Sequence, residues 1–323
     1  MNVLAVIYDN RVPNNDRLYE GLARHVAHLE VRRIDGTAAR NLREIITSED
    51  AERFDRIVIE IRAKHALAQA EFLRGLPNLV LFEEDTWQNY ARFTKNFGFF
   101  TTYYAAVQPK RIIHTGFRVA ALTRSQGFDS VCLPKGYDGA VLSNDHTRRD
   151  IETGFIGRVA HANYVRRRDL LQSLERDGLV TLLRTHSAAE YRQTLNRIRT
   201  FVSADVGFGE HMIKNFEAMA CGCALIAHSQ PEDDEALGLK HGDNVMLYSS
   251  EAECRRHIEQ LARDPDMATE IGMRGQRLAE QRHDLLDLGG EYAALLATQL
   301  GPCQAPEPSR WRIGLEQLKR RFA

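Results

Sequence analysis

The sequence has no uninterrupted apolar run long enough to cross a bilayer. It opens MNVLAVIYDN, an apolar stretch too short for a secretory signal and with no basic residues ahead of it, so the chain is expected to be cytoplasmic. Net charge is also nearly absent: 43 Lys and Arg stand against 44 Asp and Glu, which leaves no overall electrostatic footprint for a nucleic acid. Cysteine is scarce, five in 323 residues, and only Cys221 and Cys223 lie close together. A C-x-C pair with no second pair and no histidine cluster reads as small buried residues at a helix end, not as a zinc site. There is no internal repeat and no low-complexity tract. The most telling absence is glycine after the first apolar run. A dinucleotide fold needs G-x-G-x-x-G there, because the backbone must approach a pyrophosphate closely, whereas residues 8–16 read YDNRVPNND.

What is present is alternation. Short apolar runs at residues 3–8, 56–61, 79–82, 111–114 and 130–133 are separated by helix-like stretches such as 17–29 and 66–73. A second series follows at 153–156, 180–183, 200–204, 224–227 and 245–248, with helices such as 166–176 and 188–199 between. This pattern predicts two parallel, doubly wound α/β units. The polar, turn-rich stretch LPKGYDGAVLSNDHTRRD, residues 133–150, is the expected linker. From 251 to 300 the pattern is all-helical, and GPCQAPEPSR breaks it before a short basic end. The expected domains are residues 1–140 and 141–300, with a tail at 301–323.

The stretch KNFEAMACGCALIAHSQPEDDEAL, residues 214–237, sets one acid, Glu217, among Phe216, Ala218, Met219 and Ala220 on a helix otherwise suited to burial. Strand 200–204, the loop DVGFGE, a helix over 211–221, Gly222 and strand 224–227 form a β-α-β unit. Its helix N-terminus lies at the carboxyl edge of the sheet, where open α/β sheets bind ligands. Free N–H groups and the helix dipole suit a nucleotide diphosphate there, and Lys214 adds a full charge. The structural alternative is a Glu217–Lys214 helix pair. A second candidate is GRVAHANYVRRRDLL, residues 157–171. Gly157 permits a tight turn, Arg158 can fork onto phosphate oxygens, and Arg166, Arg167 and Arg168 cluster at the next helix start.

Lys214, Phe216, Glu217, Ala218, Ala220 and Gly222 follow an R-x-F-E-A-x-A-x-G pattern, with Lys for Arg. The stretch resembles the C-terminal domain of GT-B glycosyltransferases, most closely the branch related to the spore maturation protein CgeB. FIGRVAHANYVRRRDLLQSL (155–174), residues 241–278 and LPKGYD (133–138) are similar to further parts of that domain, in the same order, while the first 130 residues carry no such motif. Of the other two-domain α/β readings, a dehydrogenase lacks its glycine motif and a periplasmic-type binding protein its export signal. The resemblance implies α/β architecture with two Rossmann-like domains facing across a cleft, an N-terminal acceptor-binding domain and a C-terminal nucleotide-sugar-binding domain. It implies metal-independent, retaining transfer from a nucleotide-sugar donor to a glycan or lipid-linked acceptor in bacterial cell-envelope polysaccharide synthesis, with no cofactor and no nucleic-acid partner.

The donor residues so implied are Gly157, Arg158, Arg166, Gly209, Lys214 and Glu217, the last accepting hydrogen bonds from the ribose hydroxyls. The chain departs from the commonest pattern eight positions before Glu217, where an acid is replaced by Gly209 and Glu210 stands next to it. Either Glu210 contacts the donor sugar or Gly209 offers its N–H. Lys214, Arg158 and the helix N-terminus would neutralise the leaving diphosphate. The sole D-x-D, Asp264 to Asp266, is expected to start a helix. An acceptor-orienting group or base would come from the first domain: Asp85, with Glu83 and Glu84, in FEEDTW, or His114 in IIHTGF. Asp9, Asn10 and Asn14 at the exit of the first strand are further acceptor candidates. Expected catalytic residues are thus Asp85, His114, Lys214 and Glu210. A nucleotide-sugar 2-epimerase of the same fold, and a non-catalytic sugar-nucleotide-binding or assembly protein, stay open at this point. In SRWRIGLEQLKRRFA, residues 309–323, Trp311, Leu315, Leu318 and Phe322 recur at helical spacing among five cations. That end either docks on the fold or holds the protein peripherally on an anionic membrane, the inner face of the cytoplasmic membrane.

Overall fold

A computed structural model describes residues 1–9, 15–159, 164–204 and 210–301. The chain forms two compact units, Met1–Leu133 together with the chain from Gly289 on, and Pro134–Leu288.

In the first unit six parallel strands, β1 (Asn2–Tyr8), β2 (His28–Ile34), β3 (Arg56–Glu60), β4 (Leu79–Glu83), β5 (Arg111–His114) and β6 (Ser130–Cys132), stand in the order β2-β1-β3-β4-β5-β6. Helices α1 (Asp16–Ala23), α2 (Ser48–Arg53), α3 (Ala63–Leu67), α4 (Ala70–Arg74), α5 (Phe99–Val107) and α6 (Phe117–Ser125) connect them. The central strands are covered on both faces, which is why they read as unbroken apolar runs: Val3, Leu4, Ala5 and Val6 are fully buried. The edge strand β2, HLEVRRI, is half-exposed and lacks that signature. The helix expected over 17–29 accordingly ends at Ala23, and the one expected over 66–73 is split into α3 and α4.

In the second unit β7 (Ile151–Ile156), β8 (Thr181–Leu183), β9 (Ile198–Ser203), β10 (Ala224–His228) and β11 (Met246–Tyr248) are parallel in the order β11-β10-β9-β7-β8. They alternate with α7 (Val165–Arg176), α8 (Ala188–Arg197), α9 (Ile213–Ala220), α10 (Pro231–Leu237), α11 (Glu251–Arg263) and α12 (Pro265–Arg282). The fully buried α9 residues Phe216, Ala218 and Met219 lie between the sheet and α12. Gly272 makes that approach possible, since a Cβ there would sit 2.7 Å from the Gly222 carbonyl. Asp264 caps α12 by accepting from the Met267 N–H at 2.9 Å, so the D-x-D is a helix start.

The division of the chain differs from the expectation at both ends. Residues 134–150 belong to the second unit: the Tyr137 N–H donates to the His283 carbonyl at 2.9 Å, and Arg149 to the Cys221 carbonyl at 2.6 Å. At the other end α13 (Leu285–Ala297) returns to the first unit from Gly289 on. Gly289 packs on Gly21 so closely that a Cβ would lie 2.2 Å from its backbone, and Tyr292 is buried against Tyr19 and Phe82. Arg56 and Arg111 donate to carbonyls of Leu295, Leu296, Thr298 and Gln299, satisfying the end of the helix. Among the described residues no helix is long and apolar enough to cross a membrane.

Candidate functional site

The strand order of the second unit reverses between β7 and β9, and ligands of doubly wound sheets bind at the carboxyl ends of such a pair. Gly157 follows β7; its φ of +149° suits glycine, and a Cβ there would press on Lys214 Cε at 3.2 Å. Lys214 stands in the first turn of α9, and its ammonium lies 4.6 Å from the centre of the Tyr191 ring. Among the described residues Lys214 makes one hydrogen bond, a long one of 3.4 Å to the Tyr191 hydroxyl. That hydroxyl donates to Glu217 Oε2 at 2.5 Å, while Oε1 accepts no hydrogen bond from the described residues. Burial raises the Glu217 pKa above its ordinary value, against the opposing pull of Lys214 and the Tyr191 hydroxyl. Burial also lowers that of Lys214, which Glu217 partly offsets. The arrangement is a half-buried cation and a buried carboxylate, joined through Tyr191, at the helix end and strand end where a ligand is expected. Tyr191, which ties them together, carried no signal in the sequence.

Arg158 is exposed beside Gly157 and lines, with Leu183 and Arg184, a cavity of about 310 Å³ at the ends of β7 and β8. Of the arginine trio, Arg166 is exposed and Arg167 turns inward. Arg167 donates to the Ala204 carbonyl at the end of β9 at 3.1 Å and stacks on Tyr164 at 4.5 Å. The helical phase of α7 sends position 167 toward the sheet and leaves Arg166 on the outer face. Gly209 lies outside the described residues. Glu210 is buried and accepts from Lys135 Nζ at 2.7 Å, and Lys135 also donates to the His211 carbonyl at 3.3 Å. Behind it the buried His211 ring lies 2.6 Å from Asp234 Oδ1 and 2.9 Å from Asn215. Asp234 in turn accepts from Ser229 and the Gln230 N–H. His211 precedes α9 and Asn215 stands in its first turn, four positions on.

The first unit has its own reversal, between β1 and β3, and a cavity of about 270 Å³ opens there, lined by Tyr8, Glu60, Glu83, Glu84 and Asp85 among others. Glu60, missed because it ends the apolar run RIVIE, is buried and accepts from Asn15 at 2.8 Å and Tyr19 at 2.6 Å. Asn15 also donates to Glu84 at 3.4 Å. Asp9 is exposed at the exit of β1 and does not line the cavity, and Asn10 and Asn14 lie outside the described residues. His114 does not suit the acid–base role expected for it. It is 1% exposed, packs edge-on against Tyr104, and burial holds its pKa down at about 3, so the ring stays neutral in the interior.

Residues 142–286, all of them in the second unit, match the family model described as glycosyl transferase-like. Among solved structures the chain is similar to HepE from Anabaena, in complex with UDP and glucose, at 14% identity and a TM-score of 0.66, over 93% of this chain and 100% of that one. It is also similar to sucrose-phosphate synthase from Thermosynechococcus elongatus, at 12% identity and a TM-score of 0.65, over 91% and 98%. TarM matches at 13% identity with a TM-score of 0.58, over 80% of this chain and 57% of that one. No curated protein matches the sequence. With two parallel α/β sheets matching these neighbours, the chain has the GT-B fold, and its second unit matches the glycosyl transferase-like family model.

Proposed function

We propose that the second unit binds a nucleotide-sugar donor and that the sugar passes to a glycan or lipid-linked acceptor held by the first unit. The observation that carries this reading is Lys214: a half-buried ammonium with, among the described residues, one long hydrogen bond, at the start of a helix beside a glycine turn, suits an anion. Support for a nucleotide comes from HepE, whose structures hold UDP and UDP-glucose. In this reading Lys214, Arg158 and Arg167 face the diphosphate, Glu217 Oε1 receives a ribose hydroxyl, and Glu210, held by Lys135, contacts the transferred sugar. Asp85, Glu84 and Glu60 orient the acceptor hydroxyl. The bond from the anomeric carbon to the diphosphate oxygen breaks with its electron pair left on the diphosphate. The acceptor oxygen bonds to the same carbon from the same face, and its proton passes to the departing phosphate oxygen, which retains configuration. Lys214 and Arg158 stabilise charge that is greatest as that bond breaks, so the chemistry proceeds without a metal ion.

The reading extends to bacterial envelope polysaccharide, made at the inner face of the cytoplasmic membrane. The tail 309–323, outside the described residues, would contribute a basic anchor. The test is nucleotide release from a panel of UDP-, GDP- and dTDP-sugars, with and without EDTA. One donor should be turned over, with activity surviving EDTA and falling far more in Lys214→Met than its donor affinity does. Failure of every nucleotide to bind would overturn the donor site, and loss of activity in EDTA restored by Mg²⁺ would overturn the metal-free step.

A further inference from the structure

Only five large apolar side chains are exposed among the described residues, and two of them, Phe93 at 52% and Phe97 at 54%, lie four residues apart in one segment. Scattered exposed apolar residues call for no explanation, but a flanked pair held outward does. The segment is fixed. Thr94 turns inward between the two rings, its hydroxyl bonded to the Gln88 carbonyl at 2.6 Å, and Asn96 Nδ2 donates to Gln88 Oε1 at 2.6 Å. The Gly98 N–H closes the loop on the Asn89 carbonyl at 2.9 Å. Arg92 and Lys95 are exposed between and beside the phenylalanines, so the surface alternates cation and aromatic ring. Asn96 also lines the cavity at the ends of β1, β3 and β4, whose rim carries the exposed Arg62 and Lys64. Apolar rings held out among four cations complement an interface that is apolar within and negative at its surface.

We infer that residues 92–97 seat on an anionic lipid surface, placing the mouth of the first unit's cavity at the membrane. The consequence, which rests on the proposed function, is that the acceptor is lipid-linked: its saccharide enters the carboxylate-lined cavity while its lipid stays in the bilayer. The segment acts independently of residues 309–323.

The test is sedimentation of the full-length protein with vesicles of phosphatidylglycerol and phosphatidylethanolamine, against vesicles of phosphatidylcholine alone. The wild type should bind the anionic vesicles at low ionic strength and leave them as salt rises. Arg92→Gln with Lys95→Gln should weaken binding by about thirtyfold, and Phe93→Ser with Phe97→Ser should also release the protein. Both double variants should keep the wild-type melting temperature and its rise on adding UDP, which shows fold and donor site intact. Wild-type sedimentation by both variants, equal binding to phosphatidylcholine, or no binding at low salt would each overturn the inference. Vesicle binding by a wild type that ignores every nucleotide would uphold the lipid surface and sink the donor reading alone.

Discussion

At the scale of single residues the decisive feature is a buried carboxylate beside a half-buried ammonium. In the proposed function both need their charged forms to hold a nucleoside diphosphate, and burial pushes their pKa values toward each other, Glu217 upward and Lys214 downward. Affinity for UDP should therefore fall as pH drops through a Glu217 value above the ordinary carboxylate range. It should fall again as pH climbs through a Lys214 value below the ordinary lysine range. The Tyr191 hydroxyl works against the first shift by donating to the carboxylate. Tyr191→Phe should move the acid limb to higher pH and weaken UDP by about fivefold at neutral pH, the worth of one hydrogen bond. Titrations of both proteins across pH would check this, because the ligand's own phosphate titration is common to both and cancels in the difference. An unmoved acid limb would mean that Glu217 does not meet the ligand. Glu217 and Lys214 were legible because a charge on an apolar helix stands out locally. Tyr191 was not, since nothing in AAEYRQTLNR refers to a helix more than twenty positions away. His114 misled for the converse reason: a histidine at a strand end has the same sequence whether the end opens to solvent or is roofed by Tyr104.

Elements were legible in proportion to how fully they are buried. The central strands of both sheets were found within two residues, because burial on both faces leaves continuous apolar runs; β2 was lost because HLEVRRI, half-exposed and rich in charge, carries no such run, whereas the edge strands β6, β8 and β11 keep short ones. The return of α13 to the first unit was invisible, since the contacts that hold it there, Gly289 on Gly21 and Tyr292 on Tyr19 and Phe82, join residues more than two hundred positions apart. The two neighbouring glycines of that helix should respond differently. Gly289→Val would drive side-chain atoms into backbone and should cost about 2–4 kcal/mol in chemical denaturation. Gly290→Ala meets only the His25 ring, at 3.2 Å, and should stay within about 1 kcal/mol of wild type. Similar losses from both would show that the helix packs some other way. Gly157→Ala is the matching test at the site. Its φ and the contact with Lys214 Cε predict a loss of about 1–2 kcal/mol in stability, together with weaker UDP binding.

For the whole molecule the same rule operates twice. Each sheet reverses its strand order once, and at each reversal the carboxyl strand ends collect polar groups: Lys214, Glu217 and Arg167 in one unit, Glu60, Glu84 and Asp85 in the other. The β-α alternation made two such units predictable, and the motif around Glu217 singled out the one proposed to take the nucleotide. No comparable pattern marks the first unit, where the cavity is assembled from the ends of three strands and becomes visible only in the fold. The account as a whole stands on Lys214 as the anion anchor. Its most direct test is calorimetric titration of UDP into the wild type and Lys214→Met, a variant of similar length that removes the charge and should leave the unliganded melting temperature the same or higher. The account predicts binding by the wild type and an affinity roughly ten- to a hundredfold lower in the variant. Equal affinity of the two proteins for UDP would contradict it.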